Sequence, residues 1–261
     1  MSDLLDDLLA DLKSEGDQLW TTVSGLDDDG WRTPTPAPGW DVATQVAHLL
    51  WTDEVAVLAA TDKAAWDDVV IAAMEDPEGF VDAGAREIAR LTPTALLARW
   101  GGAREDLART LREYPSRERM PWFGPPMSPA SMATARFMET WAHAHDVYDA
   151  LDVSFEPTDR IRHVAHLGVR TRNFAFVTND LEPPAEEFRV ELTAPSGEQW
   201  TWGPEDAAQR VTGPAHGFCL LVTQRVHRSD AGLTAEGADA DTWLDIAQCF
   251  AGPSGEGRAP R

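Results

Sequence analysis

The stretch "ARFMETWAHAHDVYDA", residues 135–150, sets an arginine, a glutamate, two histidines and two aspartates among aromatic side chains. Wound at about 100° per residue, His143 lies about 40° from Glu139, Asp146 about 20° to the other side and Arg136 about 60° away. His145 falls about 120° from Glu139 and leaves that face, while Phe137, Trp141 and Tyr148 lie opposite. One helix face therefore reads Arg-x-x-Glu-x-x-x-His-x-x-Asp. Glu139 and His143, one turn apart, project in the same direction and can reach one divalent ion. The same face also reads as an exposed stripe of intrahelical ion pairs, each contributing only tenths of a kcal/mol.

Two ligands on one helix rarely hold a metal alone, so a third is sought on a neighbouring helix. In "PGWDVATQVAHLLW", residues 38–51, the core stripe is Val42, Val46, Leu49 and Leu50. His48 lies off that stripe, beside Thr44, Trp51, Thr52 and Val55. Together, His48, Glu139 and His143 would leave an open coordination position, as a catalytic metal requires. His145, His163, His166, His216 and His227 read as surface, capping or satisfied core histidines. "HVAH" at 163–166 has ligand-like spacing, but nothing nearby completes it.

Working outward, Leu4, Leu5, Leu8, Leu9, Leu12, Leu19, Trp20 and Val23 recur three or four apart and predict an amphipathic helix. The prolines and glycine of "WRTPTPAPGWD" forbid regular structure and end at Asp41, a good N-cap. From there "DVATQVAHLLWTDEVAVLAA" is apolar nearly all round and predicts a buried helix. Further helix is expected over 62–114, broken near "MEDPEGF" and "LTPT". "YPSRERMPWFGPPMSPA" is a loop with five prolines that leads into the helix of the opening stretch. After residue 151 the pattern predicts one helix over 158–181, a hairpin in "FRVELTAPSGEQWTWGP", and helices in "PAHGFCLLVTQRV" and "DTWLDIAQCFAG". The expected organisation is an α+β protein: an N-terminal helical bundle over 1–152, a smaller α+β domain over 153–253 and a disordered tail over 254–261.

The net charge of −22 over 261 residues repels phosphates and anionic lipid, so neither nucleic acid nor a membrane is expected as a partner. The acidic N-terminus is no signal peptide, and no apolar run approaches a membrane span. Cys219 and Cys249 sit in apolar runs and read as buried free thiols in a reducing cytoplasm.

"PGWDVATQVAHL" and "ARFMETWAHAHDV", about 90 residues apart by the numbering above, together resemble the paired motifs of the mycothiol-dependent maleylpyruvate isomerase family, among the DinB-like metal-binding four-helix bundles. Gly39, Trp40, His48 and Leu49 match the first motif. Arg136, Glu139, His143 and Asp146 match the second. The resemblance extends to "RVTGPAHGFCLLVTQR" and so covers most of the chain. It implies a DinB-like four-helix bundle with an accompanying α+β domain, and a divalent metal, usually zinc, on His48, Glu139 and His143. It further implies mycothiol, or another low-molecular-weight thiol, as cosubstrate for isomerisation or S-transfer on a small molecule. Arg136 and Asp146 would orient ligands, hold substrate carboxylates, or form an intrahelical bridge. Trp122 and Phe123 would wall the pocket or simply pack the loop, and Arg225 would reach thiol or substrate from the second domain. A cytoplasmic monomer or homodimer is expected. A non-catalytic metal- or ligand-binding protein and a thiol-independent metal hydrolase are the alternatives.

Overall fold

The computed structural model describes residues 2–77, 79–252, 254–255 and 257–261. It divides into two compact units between Ser154 and Phe155, two residues beyond the expected boundary.

The first unit is all-helical: α1 (Ser2–Val23), α2 (Asp28–Trp31), α3 (Val42–Thr61), α4 (Lys63–Glu75), α5 (Phe80–Ile88), α6 (Pro93–Glu113) and α7 (Pro129–Leu151). The four long helices α1, α3, α6 and α7 form the bundle. The centre is α3, packed against α4, α5, α6 and α7, while α1 closes the bundle on α6 and α7. Burial of α3 follows from its composition. Polar Thr44, Gln45, His48, Thr52 and Asp53 are buried along with its aliphatic residues, so each must find a partner inside.

Local chemistry sets the helix ends. Asp41 caps α3, its Oδ1 accepting from the Thr44 N–H at 2.8 Å. Thr92 and Ser128 cap α6 and α7, each followed by a proline whose missing N–H costs nothing there. The breaks expected near "MEDPEGF" and "LTPT" separate α4, α5 and α6. Between α6 and α7 the five-proline loop is irregular, and a bridge between Met120 and Met127 pinches it around Trp122 and Phe123.

In the second unit, α8 (Arg162–Arg170) and α9 (Arg172–Thr178) replace the single helix expected over 158–181. The break lies at Thr171, whose hydroxyl donates to Leu167 O and Gln248 O, an alternative to continued helix. The expected hairpin is present as β1 (Arg189–Thr193) and β2 (Gln199–Trp202), antiparallel with Val190 opposite Trp202. Two strands were not foreseen: β3 (Arg210–Pro214), parallel to β1, and β4 (Thr234–Glu236), antiparallel to β3. Both are short, and β3 ends in Gly-Pro, so neither carries a run of alternation. The sheet order is β2-β1-β3-β4. Against it lie α10 (Ala215–Val222) and α11 (Ala238–Ile246), with Phe218 and Phe188 edge-on to Trp243. In the stretch expected to be a disordered tail, Gly255 N–H donates to Gln224 Oε1 and Arg261 N–H to Asp230 Oδ2. Among the described residues, no helix is long and apolar enough to cross a membrane.

Candidate metal centre

Buried polar residues on α3 and α7 meet as a ladder. Gln45 pairs with His143, His48 with Glu139, and Asp53 with Arg136, so rising numbers on one helix meet falling numbers on the other. The helices are therefore antiparallel, and this register brings His48 to the Glu139–His143 turn.

Both imidazoles aim Nε2 at the same carboxylate oxygen: Glu139 Oε2 lies 3.4 Å from His48 Nε2 and 3.2 Å from His143 Nε2. Among the described residues these three form the one cluster of His, Cys, Asp or Glu able to share an ion, with ligand atoms within 4.8 Å of one another. Ligands about 2.1 Å from a tetrahedral ion stand about 3.4 Å apart, which matches both distances. His48 is 7% exposed, whereas the Glu139 side chain keeps 23%, so the cluster is open at the carboxylate edge. Burial pushes the Glu139 carboxyl up, but hydrogen bonds from His143 and His48, with their charge, outweigh it and hold it well below the usual range. The donor set is thus one carboxylate and two imidazoles, a combination that suits a divalent ion.

The His143 tautomer follows from donor logic. Gln45 Nε2 donates to Thr35 Oγ1 at 2.9 Å and faces Asp146 Oδ2 at 3.5 Å, and the carboxylate can only accept. The amide oxygen is thereby turned to His143, whose Nδ1–H donates to it, so that Nε2 is the ring nitrogen turned to Glu139 and left to an ion. Gln45 was not anticipated. It lies one turn before His48, so helical spacing alone could have found it.

Trp40 was matched only as part of a motif, yet its ring stacks on His143 (centroids 5.8 Å, planes 19° apart) and tilts over His48 at 5.3 Å. The turn that aims it needs Gly39 at φ +76°, a conformation other residues adopt only with strain. Trp40 Nε1 donates to Asp82 Oδ1 on α5 at 3.2 Å, which fixes the indole.

The remaining expected residues are placed as follows. Arg136 and Asp146 are each 1% exposed. Arg136 Nε donates to Asp53 Oδ1 at 2.9 Å, across the helices rather than along α7. Burial raises the Asp53 carboxyl above its usual range, and Arg136 offsets part of that. Phe123 stacks on Trp51, which itself lies 6.3 Å from His48, while Trp122 stacks on Trp66. Arg225 is in the second unit, where its Nη1 donates to Thr223 O. His145 packs edge-on against Trp141 on the other face of α7. His166 accepts from Trp202 Nε1 in the second unit. Cys219 and Cys249 are buried free thiols, and burial pushes the Cys219 thiol well above its ordinary value.

Comparison with known proteins gives this geometry a family. Residues 12–148 match the model described as the mycothiol maleylpyruvate isomerase N-terminal domain. A shorter stretch, 184–235, matches a model described as wyosine base formation. Uncharacterized proteins from two strains of Mycobacterium tuberculosis are 55% identical over 250 residues, covering 96% of this chain and 97% of theirs. Crystal structures of the mycothiol-dependent maleylpyruvate isomerase and of a His-to-Ala mutant share the fold. Their TM-scores are 0.55 and 0.58 at 16% identity, covering 88% of this chain and 92% of each of theirs. With more than half its length matched by the first model, the chain belongs to the mycothiol maleylpyruvate isomerase N-terminal domain family.

Proposed function

We propose that this protein holds a divalent ion, zinc, on His48, Glu139 and His143, and uses it to activate a low-molecular-weight thiol, mycothiol, for isomerisation of or S-transfer to a small electrophile. The observation that carries the reading is the convergence of two imidazoles and one carboxylate, from two helices, with each imidazole nitrogen at tetrahedral ligand spacing from the carboxylate oxygen. When bound there, the ion supplies the positive charge that favours a thiolate over a thiol at neutral pH.

The chain's own residues do the rest. Glu139, ionised between two histidines, neutralises part of the ion's charge and fixes its depth in the bundle. Gln45 holds His143 by Nδ1 with Nε2 turned to the ion site, and Asp146 and Thr35 hold the Gln45 amide in turn. Arg136, committed to Asp53, acts as a positioning residue that locks α7 against α3. Trp40 covers the histidine pair and limits access of water. Trp122 and Phe123 wall the approach. The two cysteines are buried, which supports a thiol supplied from outside the chain.

The test is metal content of protein purified without chelator, compared with His48→Ala and His143→Ala. One equivalent in the parent and loss in both variants is expected, together with turnover that requires added mycothiol. Equal metal in all three proteins would remove the site. Full activity without thiol would replace the reading with metal-assisted hydrolysis.

A further inference from the structure

Resting on the reading above, we infer that the electrophile is an aromatic molecule without carboxylate groups, bound against a ring-lined wall that runs from the histidine pair. The rings are contiguous. Trp40 lies 5.3 Å from His48, and His48 lies 6.3 Å from Trp51. Trp51 meets Phe80 edge-on at 5.3 Å and Phe123 in parallel at 6.5 Å. Phe123 continues to Trp66 at 5.0 Å and Trp122 at 5.2 Å. These spacings fall within the range of favourable ring–ring contact, and a planar ring added to the series gains the same offset or edge-on geometry. The wall is not sealed core. Phe123 is 41% exposed, and Trp40, Trp51 and Phe80 are only half-buried.

Charge disfavours the opposite class. Recognition of a dicarboxylate favours an arginine or lysine with a free donor. Arg136, on the face of the metal ligands, bonds Asp53 through Nε, and its unpartnered Nη2 is itself buried. Over residues 42–88, the stretch that carries His48, Trp51, Trp66 and Phe80, the sequence has ten acidic residues against two basic ones. Both of those cations are paired, Lys63 with Asp67 and Arg86 with Asp82. With Arg117, Glu118 and Arg119 of the loop that carries Trp122 and Phe123 added, the count is eleven acidic to four basic, a negative field that disfavours anions and leaves a neutral ring unaffected.

The probe is 4-phenyl-2-butanone, an uncharged aromatic ketone that cannot react with thiols, set against maleate. Calorimetric titration is made on the metal-loaded protein, the metal-free protein, Phe123→Ala, and Phe123→Leu. The expected result is saturable binding of the ketone to the loaded and metal-free protein alike, and at least ten-fold weaker binding to Phe123→Ala. Phe123→Leu should lie between, and maleate should neither bind nor compete. Because the wall is read out without metal, failure of the metal site leaves this result standing. Maleate binding more tightly than the ketone, or ketone affinity unchanged in Phe123→Ala, would overturn the inference. Phe123 is on a loop outside the bundle helices and 41% exposed, so its loss should leave the bundle folded, and thermal unfolding of the variant verifies this.

Discussion

Replacing Gln45 by leucine isolates the residue that the account makes responsible for the state of His143. The change keeps bulk and helix propensity but removes the oxygen that accepts from His143 Nδ1. It leaves one buried donor without a partner, at a cost of about 1–3 kcal/mol. It also frees the imidazole to rotate and to take the other neutral tautomer, whose Nε2–H cannot ligate an ion. Loss of such an outer partner typically lowers metal affinity about 10- to 100-fold, or about 1.4–2.7 kcal/mol at 1.36 kcal/mol per factor of ten. The assay is competition for zinc against a chromophoric chelator at neutral pH, with circular dichroism of both proteins as a control on folding. Thr35 and Asp146 lose a partner as well, so a lower melting temperature is expected alongside. A folded Gln45→Leu protein with affinity within two-fold of the parent would refute the reasoning.

Other variants test the remaining parts. His145→Ala should keep full metal content while His143→Ala loses it, since His145 packs on Trp141 away from the cluster; equal loss in both, read by elemental analysis, contradicts the assignment of faces. Arg136→Met should cost about 3–5 kcal/mol in urea unfolding because the buried Asp53 loses its ion-pair partner, and Arg136→Met with Asp53→Leu should recover most of it. Gly39→Ala should lose roughly 1–2 kcal/mol at φ +76°, where the obstacle is backbone strain and not space. Gly102→Ala, inside α6 with nothing near its added methyl, should gain roughly 0.5–1 kcal/mol; the same sign for both glycines would contradict the conformational argument.

The residues show why some of this was legible in advance. Helical periodicity alone separates His143 from His145, because two residues on a helix differ by more than half a turn. It equally marks His48 as lying off the aliphatic stripe of α3. Asp41, Pro93 and Pro129 announce their helix starts by chemistry confined to one turn. Partnerships between helices are another matter. The pairing of Arg136 with Asp53 depends on the register of α3 against α7, which no local pattern encodes. Trp40 reaches the histidines through a loop whose path depends on Gly39 and on the bond to Asp82, 42 residues further along. The helix expected over 158–181 breaks at Thr171 because its hydroxyl finds Gln248 O, 77 residues away. In each case a long-range contact decides what local propensity leaves open.

The central claim, that His48, Glu139 and His143 hold an ion which receives a thiol, is tested most directly by X-ray absorption at the zinc edge, before and after adding mycothiol. The account predicts one zinc per chain with nitrogen and oxygen scatterers only, then one sulfur at about 2.3 Å once thiol is present. Zinc bound with no sulfur appearing, or sulfur present before thiol is added, would contradict it.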